Sequence, residues 1–531
     1  MPRFSLPPLW LRPLVIVLLI LGIFFRFVNI DHKVFWYDEV HTALRISGYD
    51  TYQGKAQMFT GQVIDVATIQ KFQKINHDKS IIRNTINTIT SLATDDPQHP
   101  PLYYVLTKFW VQLFGDSVTN LRIPAAIISL AVLPLAYWFC WELFHSSLVA
   151  WLAVSFFAVS PFQILYAQEA REYSLWTFMV LLVNIAFLIA VRRQNFSSWA
   201  MYTITLTASY YTFILSLPAA IGQGVYTLVQ NKFQPNQVTI NHFISGLISL
   251  VLFSPWLWII IKYRDVIDAT TSWRNSPSLA WRVILQIWGL NISTNFADIF
   301  LDINHISNYV FPLVFTLLLA YAIYFLIKTT EQKVWLLLIV LLLSPVIYLI
   351  IPDIFMGTVV SYVSRYFIPW YVAIPIIFAY LISQKIIHNS IKKQLLWQAV
   401  FLGIITLSII SCTVSSQADT WWNKASLGNR TIQVAKIINQ GVKPLVVADL
   451  NQGNFGDVIA ISYRVNPQTK FHLVATPEML IIPPGFSNIF LYNPADNLIN
   501  KIKAKYGDQS IKTFEGTALL ELDPPSGLMV K

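Results

Sequence analysis

Charge is scarce in this chain of 531 residues. Asp, Glu, Lys and Arg together make up 12% of it, about half the share usual in a soluble domain. With 55% hydrophobic residues, that shortage excludes both a disordered chain and a single water-soluble globule. Cysteine is scarcer still. Cys140 and Cys412 each lie inside an apolar run, far apart in the chain. They read as small buried hydrophobes, which excludes a disulfide framework or a thiolate metal site. A glycine-rich phosphate-cradling loop is missing as well, so no nucleotide fingerprint is present. The net charge of +10 does not point to nucleic acid, because the basic residues cluster in short connectors where membrane topology explains them.

What the chain has in place of charge is long apolar runs, recurring from the N-terminus to about residue 414. The first, residues 13–30 (PLVIVLLILGIFFRFVNI), is long and lacks a small-residue cleavage site. It reads as an uncleaved first span, not a signal peptide. Spans are predicted at 10–30, 119–143, 147–165, 173–191, 198–213, 214–230, 240–262, 306–328, 334–351, 366–384 and 394–414, about eleven in all. Connectors carrying Arg192-Arg193, Lys232, Lys328 with Lys333, and Lys385 with Lys392-Lys393 alternate with poorer ones. The positive-inside rule places these connectors, and the N-terminus with Arg3 and Arg12, in the cytoplasm. The outer side then holds 31–118, 166–172, 263–305, 352–365 and the tail from 415.

The expected architecture is a polytopic α-helical membrane domain over 1–414, with a long first outer loop at 31–118, and a small soluble extracytoplasmic α/β domain over 415–531. In the tail, PLVVAD (444–449), FHLVA (471–475), NIFLY (488–492) and ALLEL (518–522) read as strands alternating with helices at 431–440, 455–464 and 495–506, a partly parallel sheet. Segments 81–92, 100–114 and 279–300 read as amphipathic helices at the membrane interface.

The residues able to do chemistry fall in the outer connectors. WYDEVHTA (36–43) sets Asp38 and Glu39 side by side just after the first span, with His41 two residues on. Two carboxylates in a partly apolar setting do not both ionise freely, so one is suited to act as a general base while the other orients or holds a cation. The plainer reading is a solvated pair capping the next helix. QHPPLYY (98–104) brings His99 to the same side, at a turn leading into a helix. YAQEAREYSLW (166–176) carries Glu169, Arg171 and Glu172 between two spans. On a helix, Gln168 would share a face with Arg171, and Glu169 with Glu172. Arg171 is then either a snorkelling interfacial arginine or the holder of a substrate phosphate. SRYFIPW (364–370) opens a span from outside with Arg365 and Tyr366, against the positive-inside bias.

These segments carry a family resemblance. YDEVH resembles the Asp-Glu motif in the first luminal loop of the protein O-mannosyltransferases, and HPPL their His-Pro-Pro-Leu segment. YAQEAREYSL is similar to the Gln-Glu/Asp-Ala-Arg-x-Tyr segment of bacterial relatives, among them the lipid A aminoarabinose transferases and the broad family 39 glycosyltransferases. The match runs over roughly residues 10–200. The resemblance implies a GT-C fold and an inverting transfer from a polyprenyl-phosphate sugar to an acceptor hydroxyl on protein, lipid or glycan. By motif position, Asp38 is the base and Glu39 its neighbour. His99, Tyr103, Glu169, Arg171, Tyr173, Arg365 and Tyr366 are the candidate substrate-binding residues. Asp38, Glu39, His41 and His99 are the candidates for a divalent cation, which the family does not uniformly require. The expected setting is the plasma (inner) membrane, with the active site and tail extracytoplasmic and membrane lipids as neighbours. A transporter or flippase without covalent chemistry is the alternative. Its signature would be mid-span charges and paired broken helices, and the chain has few of the former and no repeat. A scaffold acting through its tail is a third.

Overall fold

The computed structural model describes residues 6–75, 80–277, 279–299, 305–387, 390–451, 453–507 and 511–522. The chain forms two compact units. One comprises residues 1–30, 96–103 and 122–417, and the other 31–95, 104–121 and 418–531.

In the first unit each of the eleven predicted spans coincides with helix. Among the described residues, seven helices are long and apolar enough to cross a membrane: Val118–Phe144, Tyr173–Arg193, Gln237–Lys262, Ser307–Thr329, Gln332–Met356, Ser364–Ile387 and Ile391–Gln417. The pair Ser147–Ala158 and Pro161–Ala167, bent by 54°, brings the count to eight. Arg12–Phe27, Phe196–Thr212 and Ser216–Gln230 are shorter. Burial separates centre from rim. The apolar window of Ser364–Ile387 is 89% buried, whereas that of Gln237–Lys262 is 22% buried. The helix introduced by Arg365 is thus the hub of the bundle. Polar side chains bridge helices within it: Tyr202 donates to Gln223 (2.8 Å), and Gln223 donates to Asn184 (3.0 Å).

The bend at Val159-Ser160 follows from Pro161, which has no N–H to continue the ladder. The carbonyls freed there are capped by Arg26, a fully buried arginine of the first helix. Its guanidinium donates to Phe157 O (3.1 Å), Ala158 O (2.7 Å) and Ser129 Oγ (2.8 Å). Gln168 returns the favour, donating to Phe25 O (2.9 Å) and Val28 O (2.8 Å) at the end of the first helix. Arg26→Leu would orphan three acceptors, each at a cost of about 1–3 kcal/mol. We expect it to lower the thermal midpoint in detergent by several degrees, with Arg26→Lys recovering only part. An unchanged midpoint in a thermal-shift measurement would refute this.

The second unit is built on one six-stranded sheet, in the order β1-β3-β2-β4-β6-β5. Strands β2 (Pro444–Asp449), β3 (Lys470–Val474) and β4 (Asn488–Tyr492) pair in parallel, with β2 central and buried along its whole length. A continuous apolar run suits a strand covered on both faces. Its core is formed by Leu445, Val447, Val474, Ile489, Leu491 and Leu522, with Leu498 and Ile502 from the helix Asp496–Tyr506. Strands β5 (Ile511–Phe514) and β6 (Leu519–Leu522) close one side as an antiparallel hairpin. The other edge is β1 (Thr60–Asp65), contributed by the first outer loop and antiparallel to β3. The compact unit therefore unites most of that loop with the tail, a division different from the boundary expected at residue 414. The amphipathic segments are helical: Ile81–Asp95 and Leu102–Phe114, and in the first unit Trp281–Ser293.

Candidate functional site

In the first unit the site is assembled on the segment between Ala167 and Tyr173. The expected helix does not continue here. Residues 168–172 form a non-helical turn, so the facing of Gln168 with Arg171 and of Glu169 with Glu172 is corrected. The break lets Gln168 turn back to the first helix while Arg171 and Glu172 turn to a different neighbour, His99. That histidine sits in a proline-rich turn. Its N–H donates to Asp96 O (2.9 Å), and Trp256 Nε1 donates to Pro97 O (3.0 Å).

His99, Arg171 and Glu172 form a buried cluster. His99 Nδ1 lies 2.8 Å from Glu172 Oε1. Arg171 Nη2 donates to the same oxygen at 3.3 Å and lies 3.2 Å from His99 Nε2. Glu172 is at the mouth of the following span, outside it, and wholly buried. Burial works against its charge, but the Arg171 guanidinium and His99 outweigh it and bring its pKa down to about 2 from 4.5. A carboxyl depressed in the folded state contributes stability fully present above its unfolded value of 4.5 and lost as pH falls towards about 2. The Arg171–Glu172 ion pair is therefore at full strength throughout the neutral range.

Tyr173 links this cluster to the hub helix. The guanidinium carbons of Arg171 and Arg365 lie 5.8 and 5.7 Å from the centre of its ring, and Arg365 is 5.7 Å from the Tyr366 ring. Phe213 completes the aromatic wall, 5.9 Å from both Tyr173 and Tyr366 and 6.5 Å from His99. Below it, Tyr166 Oη and Ser364 Oγ are 3.1 Å apart. Two arginines, a histidine and an anchoring carboxylate around an aromatic wall make a surface suited to a phosphate group. Arginine supplies a planar two-pronged donor, and rigid neighbours reduce the entropy lost on binding. Of the expected binding residues, His99, Arg171, Tyr173, Arg365 and Tyr366 come together. Glu169 and Tyr103 are buried in the same unit. Glu172 was not among the expected ligands. The signal was present, as a carboxylate adjoining an arginine at the entry of an apolar helix is costly unless paired.

The acidic pair is in the second unit, in the first turn of the helix Tyr37–Ile46. Carboxylates are favoured there by the helix dipole. Asp38 is half-buried and Glu39 fully buried. Thr42 Oγ1 donates to Asp38 O at 3.1 Å. The Tyr37 and His41 rings are 4.6 Å apart, and the Lys424 ammonium stands 4.8 Å above the Trp36 ring. Among the described residues, no group of three or more His, Cys, Asp or Glu side chains is placed to hold a metal ion. Of the four candidates, His99 belongs to the first unit and Asp38, Glu39 and His41 to the second.

Residues 98–259 match the family model for dolichyl-phosphate-mannose-protein mannosyltransferase. No curated protein matches the chain significantly. Among solved structures, ArnT from Cupriavidus metallidurans bound to undecaprenyl phosphate aligns with a TM-score of 0.53 at 11% identity, over 97% of this chain and 98% of that one. The apo form of that protein gives a TM-score of 0.54 at 9% identity, over 96% and 97%. Archaeal oligosaccharyltransferase AglB from Archaeoglobus fulgidus, in complex with an inhibitory peptide and a dolichol-phosphate, gives a TM-score of 0.48 at 12% identity, over 86% and 64%. The chain has the multi-pass α-helical GT-C fold that the ArnT structures show.

Proposed function

We propose that this protein is an inverting glycosyltransferase that moves a sugar from a polyprenyl-phosphate carrier to an acceptor hydroxyl at the outer face of the plasma membrane. The observation that carries this reading is the Arg171–His99–Glu172 cluster, joined through Tyr173 to Arg365. Undecaprenyl phosphate, the ligand bound to ArnT in the structure of like fold, has the chemistry such a cluster suits. Its phosphate would stay at the mouth of the spans and its tail in the bilayer.

In this mechanism Asp38 takes the proton of the acceptor hydroxyl, and the acceptor oxygen attacks the anomeric carbon from the face opposite the phosphate. The bond from that carbon to the phosphate oxygen breaks, and its electron pair leaves with the polyprenyl phosphate. Arg171 and Arg365 offset the charge that grows on the leaving group, where a fixed donor is worth most. Glu39 orients its neighbour. Polyprenyl-phosphate sugar is the donor, and a protein, lipid or glycan hydroxyl the acceptor. The direct test is mass spectrometry of lipid-linked sugars and envelope glycans in a strain lacking the protein. A lipid-linked sugar should accumulate while one glycan loses a residue. Unchanged profiles would refute the reading.

Topology gives an independent check. With the tail outside and residues 386–393 inside, a membrane-impermeant maleimide should label a cysteine placed at Val442, which is 77% exposed, and spare one at Ser390. The native Cys140 and Cys412 are both buried, so background is low. The reverse pattern would overturn the orientation.

A further inference from the structure

The acidic helix Tyr37–Ile46 is held by the tail at several points. Its nearest large partner is the tail helix Asn454–Ser462. The closest approach is at Gly456, where a Cβ would lie 2.5 Å from Tyr37 Cε2 and 3.1 Å from His41 Nε2. Only hydrogen fits there. Beside it, the Phe455 ring is 6.2 Å from His41. Just before the acidic helix, Phe35 meets Tyr463 edge to face at 5.0 Å, and Trp36 lies under the buried Lys424. Val34 N donates to Asp419 O at 2.8 Å, and His32 pairs with Asp419 at 3.5 Å. Further along the loop, β1 joins β3, and Gln70 donates to Ser462 O at 3.0 Å.

We propose that the tail is a working part of the transferase: Gly456, with Lys424, positions the helix that carries Asp38 and Glu39. The argument is geometric. A general base must be held to within a fraction of an ångström of the proton it takes, and a displacement of about 1 Å can cost about a hundredfold in rate. The sheet and the helix Asn454–Ser462 supply a rigid wall, and the glycine allows the acidic helix to lie directly on it. Asp38 and Glu39 sit in the turn that begins at Tyr37, the residue touching that wall. Gly456 contacts no reacting group in this scheme, so it is a positioning residue. The proposal rests on the reading of Asp38 as the base.

The test uses the full-length protein and lipid-linked sugars extracted from host membranes. Gly456→Ala should lower kcat by about tenfold to a hundredfold with the donor KM nearly unchanged, because donor binding is assigned to the first unit. Hydrogen exchange should quicken over residues 37–46 and stay unchanged over β2. Gly441→Ala, which crowds Asn488 at 3.2 Å elsewhere in the tail, should do neither. A kcat within twofold of wild type, or an equal fall in Gly441→Ala, overturns the proposal. Should Gly456→Ala lose protection over β2 as well, Lys424→Gln carries the test with the same expectations and the same overturning result. Asp38→Asn, run in parallel, separates the two claims. If it retains wild-type turnover, the reading of Asp38 fails, whatever exchange shows at 37–46.

Discussion

Asp38→Asn should remove most turnover, by about 10²- to 10⁴-fold, the range a general base typically contributes. The substitution keeps the size of the side chain and removes its basicity. Asp38 is half-buried in the first turn of its helix, so losing its charge costs only about 0.3–1 kcal/mol, the contribution of a carboxylate facing the helix dipole. Expression and donor binding should therefore stay near wild type. Glu39→Gln should lose less, because a residue that orients its neighbour is partly replaced by an amide. Single-turnover transfer with purified protein and saturating donor measures both. If Asp38→Asn turns over at the wild-type rate, Asp38 is not the base. If both variants stay active, the pair only complements the helix dipole.

Arg171→Ala is expected to be the second most damaging change. A donor that stabilises charge in the transition state is typically worth about 10²- to 10³-fold. Here the loss has a second part, because Arg171 is also a partner of the buried Glu172. Removing it takes a charged partner from that carboxylate, and the cost of burying the charge then falls on fewer contacts. Arg171→Lys should recover only part, since an ammonium lacks the fork that meets Glu172, His99 and a phosphate together. Glu172→Gln sharpens the interpretation. It leaves Arg171 in place but releases its anchor, so it should raise the donor KM more than it lowers kcat. The measurement is kcat and donor KM for the three variants. Wild-type values in Arg171→Ala would return this residue to an interfacial anchor.

The helical layout was legible from the sequence because hydrocarbon-length runs leave few alternatives. The parallel core strands were legible too. PLVVAD and NIFLY are short apolar runs bounded by turn residues. Two features were not. The turn at 168–172 looks helical by composition, with Gln, Glu, Ala and Arg all good helix formers. What breaks it is tertiary: Gln168 is drawn to the carbonyls at Phe25 and Val28. β1 was invisible for a different reason. TGQVID is half exposed along its length and shows no apolar alternation, because an edge strand packed on one side needs none. The motif residues stood out as costly charges beside apolar runs. Their mutual arrangement did not, since His99 and Glu172 are 73 positions apart in the chain and no periodicity relates them.

The pairing of β1 with β3 also sets a clock on the protein's own making. Thr60 leaves the ribosome early, yet its partner Val474 follows about 400 residues later. At roughly 5–20 residues per second, the loop waits roughly 20–80 s before its sheet exists. During that wait the spans insert one by one while the acidic helix has no wall to rest on. Such a long-range pairing is slow to close. A nascent chain that stalls after its last membrane helix but before β3 would hold those helices without the strand that β1 pairs with.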